Sequence, residues 1–204
     1  MNIPELWLYE QQARERGYEM ICGCDEAGAG PLAGPVYAAA VILPFGLEIP
    51  GLTDSKKLTE KKREALFPVI QEKAVAWAVA RVEAEEIDAT DILSARMKAM
   101  QLAIDALSVK AEYALTDGNR DKGKSFAIQT AHECLVKGDS LSASIAAASI
   151  LAKVSRDRWM VEAAKEYPEY RFEQHKGYGT KLHYEMLREY GPSPIHRRTF
   201  LKNL

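Results

Sequence analysis

Two carboxylates stand directly in front of a glycine-rich loop near the start of the chain, in the stretch CDEAGAGPLAGP at residues 24–35. The glycines are typical of a loop that approaches phosphate, but Asp25 and Glu26 would repel a phosphate group by like charge. Pro31 removes a backbone donor, and the stretch lacks the Gly-Lys-Ser/Thr ending of a P-loop. A dinucleotide-binding loop is therefore disfavoured.

The repulsion disappears if these acids hold divalent cations. Mg²⁺ binds carboxylate oxygens and keeps substrate phosphate oxygens as further ligands. Two such ions about 3.5–4 Å apart can clamp the attacking and leaving oxygens of a phosphoryl displacement. Asp117 follows a short apolar stretch and Asp139 precedes an Ala-rich segment, so both are candidates to join the first two acids. Each also has an ordinary explanation, Asp117 as a turn former and Asp139 as a helix N-cap, and spacing leaves these alternatives open.

Strands and helices that alternate along the chain must bring these acids together. The hydrophobic pattern predicts a polar, helical extension before the core and a helical C-terminal part with a loop at residues 175–180. Strands are predicted at 20–25, 35–43, 75–82, 113–116 and 126–134, and helices after 53–57 and over 85–107 and 140–160. This order predicts an α/β fold with a mixed sheet that delivers acids to one edge.

Length and composition fit one domain with a small appendage. The chain has 204 residues, 47% of them hydrophobic, and a net charge of −2. The charge is uneven, with a balance of −6 over residues 1–152 and +4 over 153–204, which is compatible with a phosphate-facing surface or with an ordinary solvated helix. The three cysteines favour a reducing compartment, and no leader or membrane-spanning run is evident. We expect a cytoplasmic protein that does not enter a membrane.

Seven sequence blocks, in this order and spacing, resemble the type 2 ribonucleases H, the ribonuclease HII family. They are DEAGAGPLAGPV (25–36), TDSKKL (53–58), DGN (117–119), KGD (137–139), SIAAASILAKVSRDRWM (144–160), HKGYGT (175–180) and PIHRRTF (194–200). The resemblance implies an RNase H-like α/β fold, with a central mixed sheet flanked by helices and a helical C-terminal portion over about 161–204. Residues 1–19 would then be a helical extension of a catalytic domain at 20–204.

The resemblance also implies an activity. A protein of this family is expected to hydrolyse RNA in RNA–DNA hybrids and to cut on the 5′ side of ribonucleotides embedded in duplex DNA, leaving a 3′-hydroxyl and a 5′-phosphate. Two divalent ions, Mg²⁺ or Mn²⁺, would be held by Asp25, Glu26, Asp117 and Asp139. These four carboxylates match the acids of the family one by one.

Substrate-binding residues carry over from the same resemblance. Gly28 and Gly30 would let the backbone approach the ribose 2′-hydroxyl, which distinguishes RNA from DNA. Tyr178 matches the tyrosine that packs against the sugar of the following deoxynucleotide. Four lysines are candidate phosphate contacts, and each could equally be an ordinary solvated side chain: Lys56, Lys57, Lys153 and Lys176.

One position departs from the family pattern. The family loop reads Gly-Arg-Gly, whereas this chain has Ala29 between the two glycines. We expect weaker substrate binding or loop positioning, and the alternative is a hybrid-binding variant with impaired activity. The related ribonucleases HIII carry an extra N-terminal domain, for which the twenty residues before the first strand are too few. No sliding-clamp peptide is evident after Phe200, and we expect a monomer.

Overall fold

Five strands form one mixed sheet in a computed structural model that describes residues 5–201. The strands are β1 (Ile21–Ala27), β2 (Val36–Ile42), β3 (Ala76–Val82), β4 (Tyr113–Asp117) and β5 (His132–Leu135). Their order in the sheet is β3-β2-β1-β4-β5. β1 pairs antiparallel with β2 and parallel with β4, and β4 pairs parallel with β5. The carboxyl ends of β1, β4 and β5 therefore share one edge of the sheet.

Helices cover both faces of this sheet. They are α1 (Leu8–Glu15), α2 (Glu60–Lys73), α3 (Ala84–Ala89), α4 (Ile92–Asp105), α5 (Ala143–Glu166), α6 (Phe172–His175) and α7 (Lys181–Tyr190). β2 is buried along its whole length because alternate side chains face opposite layers. Ala38 and Ala40 pack in the cluster that contains α4, while Ala39 and Val41 pack in the cluster that contains α5.

Close approach of α5 to β1 depends on small residues. A Cβ placed on Gly23 would lie 2.1 Å from the backbone nitrogen of Ile145, so only glycine fits there. The start of α5 is a run of buried alanines and serines, which lets its backbone lie against the strand. This packing brings the turn before α5, which contains Asp139, toward the end of β1.

Three predicted elements differ from the structure. The single helix predicted over 85–107 is two helices, because Asp91 caps the second one by accepting hydrogen bonds from the N–H groups of Leu93 and Ser94. The strand predicted over 126–134 is confined to His132–Leu135, and residues 124–131 form an irregular segment. The helix predicted from residue 140 begins at Ala143, with Ser142 rather than Asp139 as its N-cap.

The other predicted elements are confirmed to within a few residues. Thr59 caps α2, and β1 and β2 pair antiparallel. Parts of the predicted N-terminal extension and C-terminal region, residues 1–4 and 202–204, lie outside the described residues. Between residues 5 and 201, no helix is both long and apolar enough to cross a membrane.

Candidate active site

Three aspartates meet at the edge where the parallel strands end. Asp25 is in β1 and Asp117 ends β4, and the pairing of Cys24 with Thr116 places the two acids side by side. Asp139 comes from the short turn Gly138–Ser140 that connects β5 to α5. One carboxylate oxygen from each aspartate lies within 4.8 Å of the others. The structure therefore brings together three of the four acids that were predicted to meet.

These carboxylates repel one another in a poorly solvated place. Burial, followed by the charges of Glu26 and Asp117, raises the pKa of Asp25 well above its ordinary value. Burial, followed by the charges of Asp117 and Asp54, also raises the pKa of Asp139. One oxygen of Asp117, Oδ1, is buried without a hydrogen-bond donor among the described residues. A divalent cation would both neutralise this charge and satisfy the buried oxygen, so the residues present fit a metal site.

Glu26 is oriented differently from the aspartates. Its Oε1 accepts from a guanidinium nitrogen of Arg96 on α4, at 2.7 Å. Its Oε2 is buried and has no partner within residues 5–201. Burial raises the pKa of Glu26, and the charge of Arg96 opposes that rise. Sequence reasoning missed Arg96, because nothing in its spacing distinguishes it from any arginine on an amphipathic helix.

Basic side chains line the cavity beside the aspartates, which has a volume of about 300 Å³. Lys56 Nζ lies 3.5 Å from Asp139 Oδ2, and its side chain is 75% exposed. Burial lowers the pKa of Lys56, but the charges of Asp25 and the other aspartates outweigh burial and raise it. Lys57 donates to the hydroxyl of Ser140 at 3.0 Å. Lys137 lines the same cavity, although only Asp139 of the KGD block was predicted to act there.

The other two predicted lysines lie farther along the molecule. Lys153 forms an ion pair with Asp157 at 2.7 Å, and its ammonium lies 5.8 Å from the centre of the Tyr178 ring. Lys176 donates to the backbone carbonyl of Glu173. Tyr178 is 42% exposed in the loop between α6 and α7. Tyr178 and Lys153 therefore form one surface, whereas Lys176 is bound within its own loop.

Two buried arginines that sequence reasoning missed hold the glycine loop from beneath. Arg197 donates to the carbonyl oxygens of Gly28, Ala29 and Gly34. Arg156 donates to the carbonyl oxygens of three other residues, Ala33, Pro35 and Lys176. Their only sequence signal is position, since each lies inside a block that carries the family resemblance.

Three buried histidines hold the loop that carries Tyr178. His196 Nδ1 faces the N–H of Ser193 at 2.9 Å and must accept, so its Nε2 carries a proton. That N–H donates to His183 Nε2 at 2.9 Å, and His183 Nδ1–H donates to the carbonyl of Tyr178 at 2.9 Å. The ring of His175 stacks on His183 at 4.3 Å. These hydrogen bonds require one proton on each of the His183 and His196 rings, so both rings are neutral. Burial accordingly lowers the pKa of His183 to about 4 and that of His196 to about 3.

Comparisons with known proteins show the family to which this chain belongs. A sequence profile of ribonuclease HII matches residues 22–203. The chain belongs to the ribonuclease HII family. It is 57% identical over 182 residues to the ribonuclease HII of Marinomonas sp. (strain MWYL1). The aligned residues make up 89% of this chain and 90% of that relative.

Solved structures of this family share the fold. The ribonuclease H2 from Pyrococcus horikoshii OT3 matches with a TM-score of 0.72 and 27% identity, over 88% of this chain and 92% of that one. The ribonuclease HII in a PCNA complex from Archaeoglobus fulgidus matches with a TM-score of 0.70 and 25% identity, over 87% and 92% of the two chains. The chain is thus a type 2 ribonuclease H, a nuclease of RNA–DNA hybrids, and enzymes of this family use divalent metal ions.

Proposed function

We propose that this ribonuclease HII cuts on the 5′ side of ribonucleotides embedded in duplex DNA, as well as within RNA–DNA hybrids, and leaves a 3′-hydroxyl and a 5′-phosphate. The observation that carries the proposal is the meeting of Asp25, Asp117 and Asp139 around a buried oxygen that lacks a partner. When bound, two divalent ions, Mg²⁺ or Mn²⁺, would supply an activated water and stabilise the leaving 3′-oxygen.

The chain's own acids have distinct tasks in this proposal. The three aspartates hold the ions at the end of the parallel strands. Glu26 completes the set with its unpartnered Oε2, while Oε1 stays on Arg96 and fixes the direction of the side chain. We propose no lone general base, because the four acids Asp25, Glu26, Asp117 and Asp139 are assigned to holding the ions.

The remaining residues bind and orient nucleic acid. Lys56 and Lys57 stand at the cavity mouth, where their ammonium groups would contact phosphates next to the cut. Tyr178, with Lys153 nearby, would pack against the sugar of the deoxynucleotide that follows the ribonucleotide. The loop at Gly28, Ala29 and Gly30 would read the 2′-hydroxyl through its backbone.

Cleavage of a DNA duplex with one internal ribonucleotide tests this proposal. We expect a single cut 5′ of the ribonucleotide with Mg²⁺ or Mn²⁺, no cut with EDTA, and no cut in the all-DNA duplex. Asp25→Asn and Asp117→Asn should abolish cleavage, whereas Asp105→Asn, at the exposed end of α4, should leave it intact. Normal turnover by the first two variants would refute the assignment. Binding of the duplex without cleavage by the unmodified chain would favour the impaired variant suggested by Ala29.

A readout independent of cleavage is thermal stability. A cation that binds only the folded state raises the melting temperature. Mg²⁺ or Mn²⁺ should therefore stabilise the unmodified chain and Asp105→Asn, but not Asp25→Asn. An equal rise in all three proteins would place the cation elsewhere.

We also propose that the chain acts in the cytoplasm as a monomer and without a sliding-clamp peptide. Three free cysteines, Cys22 and Cys24 among them buried, are in keeping with a reducing compartment. Light scattering at micromolar concentration checks the monomer. A pull-down with a sliding clamp checks the last point, and specific capture would refute it.

A further inference from the structure

Arg197 is a buried cation whose hydrogen bonds all go to backbone carbonyls. Its side chain is fully buried, and its three hydrogen bonds run to the carbonyl oxygens of Gly34 at 2.9 Å, Ala29 at 3.0 Å and Gly28 at 2.6 Å. Within residues 5–201 no carboxylate forms an ion pair with it. Burial and the charge of Arg156 lower the pKa of Arg197 to about 9, so it stays charged at neutral pH.

These contacts determine which way two backbone N–H groups point. In a trans peptide the C=O of one residue and the N–H of the next point in opposite directions, and the described chain contains no cis peptide. The carbonyls of Gly28 and Ala29 point inward to Arg197. The N–H groups of Ala29 and Gly30 therefore point away from it.

Both outward N–H groups are available to a ligand. Neither of them donates a hydrogen bond to any residue that the structure describes. Ala29 is half-buried and Gly30 is exposed, and a Cβ on Gly30 would meet nothing within 4 Å. A guanidinium that donates to a carbonyl also polarises the peptide and strengthens its N–H as a donor.

We infer that Arg197 is a positioning residue for ribonucleotide discrimination, which turns the N–H groups of Ala29 and Gly30 toward the 2′-hydroxyl oxygen of the substrate. The inference rests on the proposed function, because it assumes that this loop faces the ribonucleotide. Arg197 itself does not touch substrate. It acts through the two peptides whose orientation it holds.

Arg156 provides a matched control. It is equally buried and also donates to three carbonyls, but these belong to Ala33, Pro35 and Lys176. It packs against Gly28 but donates to neither of the two carbonyls whose peptides present the N–H groups of Ala29 and Gly30. A role in general stability would make the two arginines equivalent, whereas a role in discrimination separates them.

The experiment compares Arg197→Lys with Arg156→Lys. A lysine ammonium lacks the planar fork that spans several carbonyls at once. For Arg197→Lys, kcat/KM on the duplex with one ribonucleotide should fall about tenfold, the loss expected for one or two hydrogen bonds. The inhibition constant of the all-DNA duplex should stay within about twofold, because the deoxynucleotide offers no hydroxyl to the loop. For Arg156→Lys, kcat/KM on the ribonucleotide duplex should fall by the same factor by which the inhibition constant of the all-DNA duplex rises.

Equal changes in both variants and both constants would overturn the inference. If the unmodified chain does not cut the ribonucleotide duplex at all, the proposed function is refuted. The following measurement does not depend on cleavage and still tests the two peptides that Arg197 orients. Hydrogen exchange of the unmodified chain in EDTA should be slower at Ala29 and Gly30 with the ribonucleotide duplex than with the all-DNA duplex. This measurement also serves if Arg197→Lys does not fold, and equal exchange would refute the inference.

Discussion

Acid should destabilise this protein through the histidines that hold the Tyr178 loop. His183 and His196 are neutral in the fold, with pKa values of about 4 and about 3, against an ordinary value of 6.5. As the pH falls below 6.5, these histidines bind protons in the unfolded chain but not in the folded one. The free energy of unfolding therefore decreases until the pH reaches the pKa values of the folded state. Between pH 7 and pH 5 the loss is about 2 kcal/mol for each ring and about 4 kcal/mol for the pair.

The geometry explains why the folded state refuses the proton. A second proton on His183 would sit on Nε2, which already faces the N–H of His196 at 2.9 Å. Its Nδ1–H is committed to the carbonyl of Tyr178. Protonation would therefore break the contact between the two rings and loosen the loop that carries Tyr178.

The assay is urea unfolding at several pH values, with His183→Asn and the double variant His183→Asn/His196→Asn beside the unmodified chain. Buried acids such as Asp25 have raised pKa values and contribute the opposite slope, but they are common to all three proteins and cancel in the differences. We expect the slope of stability against pH, between pH 5 and 6.5, to flatten by about 1 kcal/mol per pH unit for each histidine removed. Parallel curves for the three proteins would refute the reasoning.

Three further predictions concern the glycine loop and the first helix. Gly30→Ala should leave the melting temperature unchanged but reduce cleavage of a ribonucleotide duplex. Gly28→Ala should lower the melting temperature, because its Cβ would lie 2.0 Å from Arg156 Nε at a positive φ. A larger loss of melting temperature in Gly30→Ala than in Gly28→Ala would contradict the structure. Glu10, buried on α1, accepts from a serine hydroxyl at the start of α5, so Glu10→Ala should cost about 2–4 kcal/mol in urea unfolding and Glu10→Gln clearly less. Ala29→Arg should lower KM for the ribonucleotide duplex, by about 1–3 kcal/mol of binding energy if a charge-assisted contact is gained, and unchanged kinetics would refute our interpretation of this position.

Local patterns were enough to predict the strands that matter most. β1, β2 and β4 are short apolar runs whose bounds follow from turn residues and from the polar residues that end them. The single helix predicted over 85–107 was wrong because the first helix ends at Ala89 and a second begins after Asp91. The cap formed by Asp91 depends on the backbone direction there, which hydrophobic periodicity does not report.

The sequence by itself determined which chemistry the chain carries. The seven ordered blocks resemble the ribonuclease HII family, and that resemblance was sufficient to predict a metal-dependent nuclease, whereas spacing alone left open whether the acids meet. The parallel pairing of β1 with β4 in the structure places Asp25 and Asp117 at one edge of the sheet. The meeting of Asp139 with them required the fold, since it depends on how closely α5 packs against β1 at Gly23.

Only the tertiary structure decided how the charged groups are shared. It assigns Glu26 to Arg96, gives the glycine loop two buried arginines, and joins His183 to His196 thirteen residues away. Each of these contacts links residues that are distant in the chain, and each is chosen by burial, since a polar group shielded from water must find whichever partner the packing brings near. The spacing of residues along the sequence therefore does not predict which partner each charged group has.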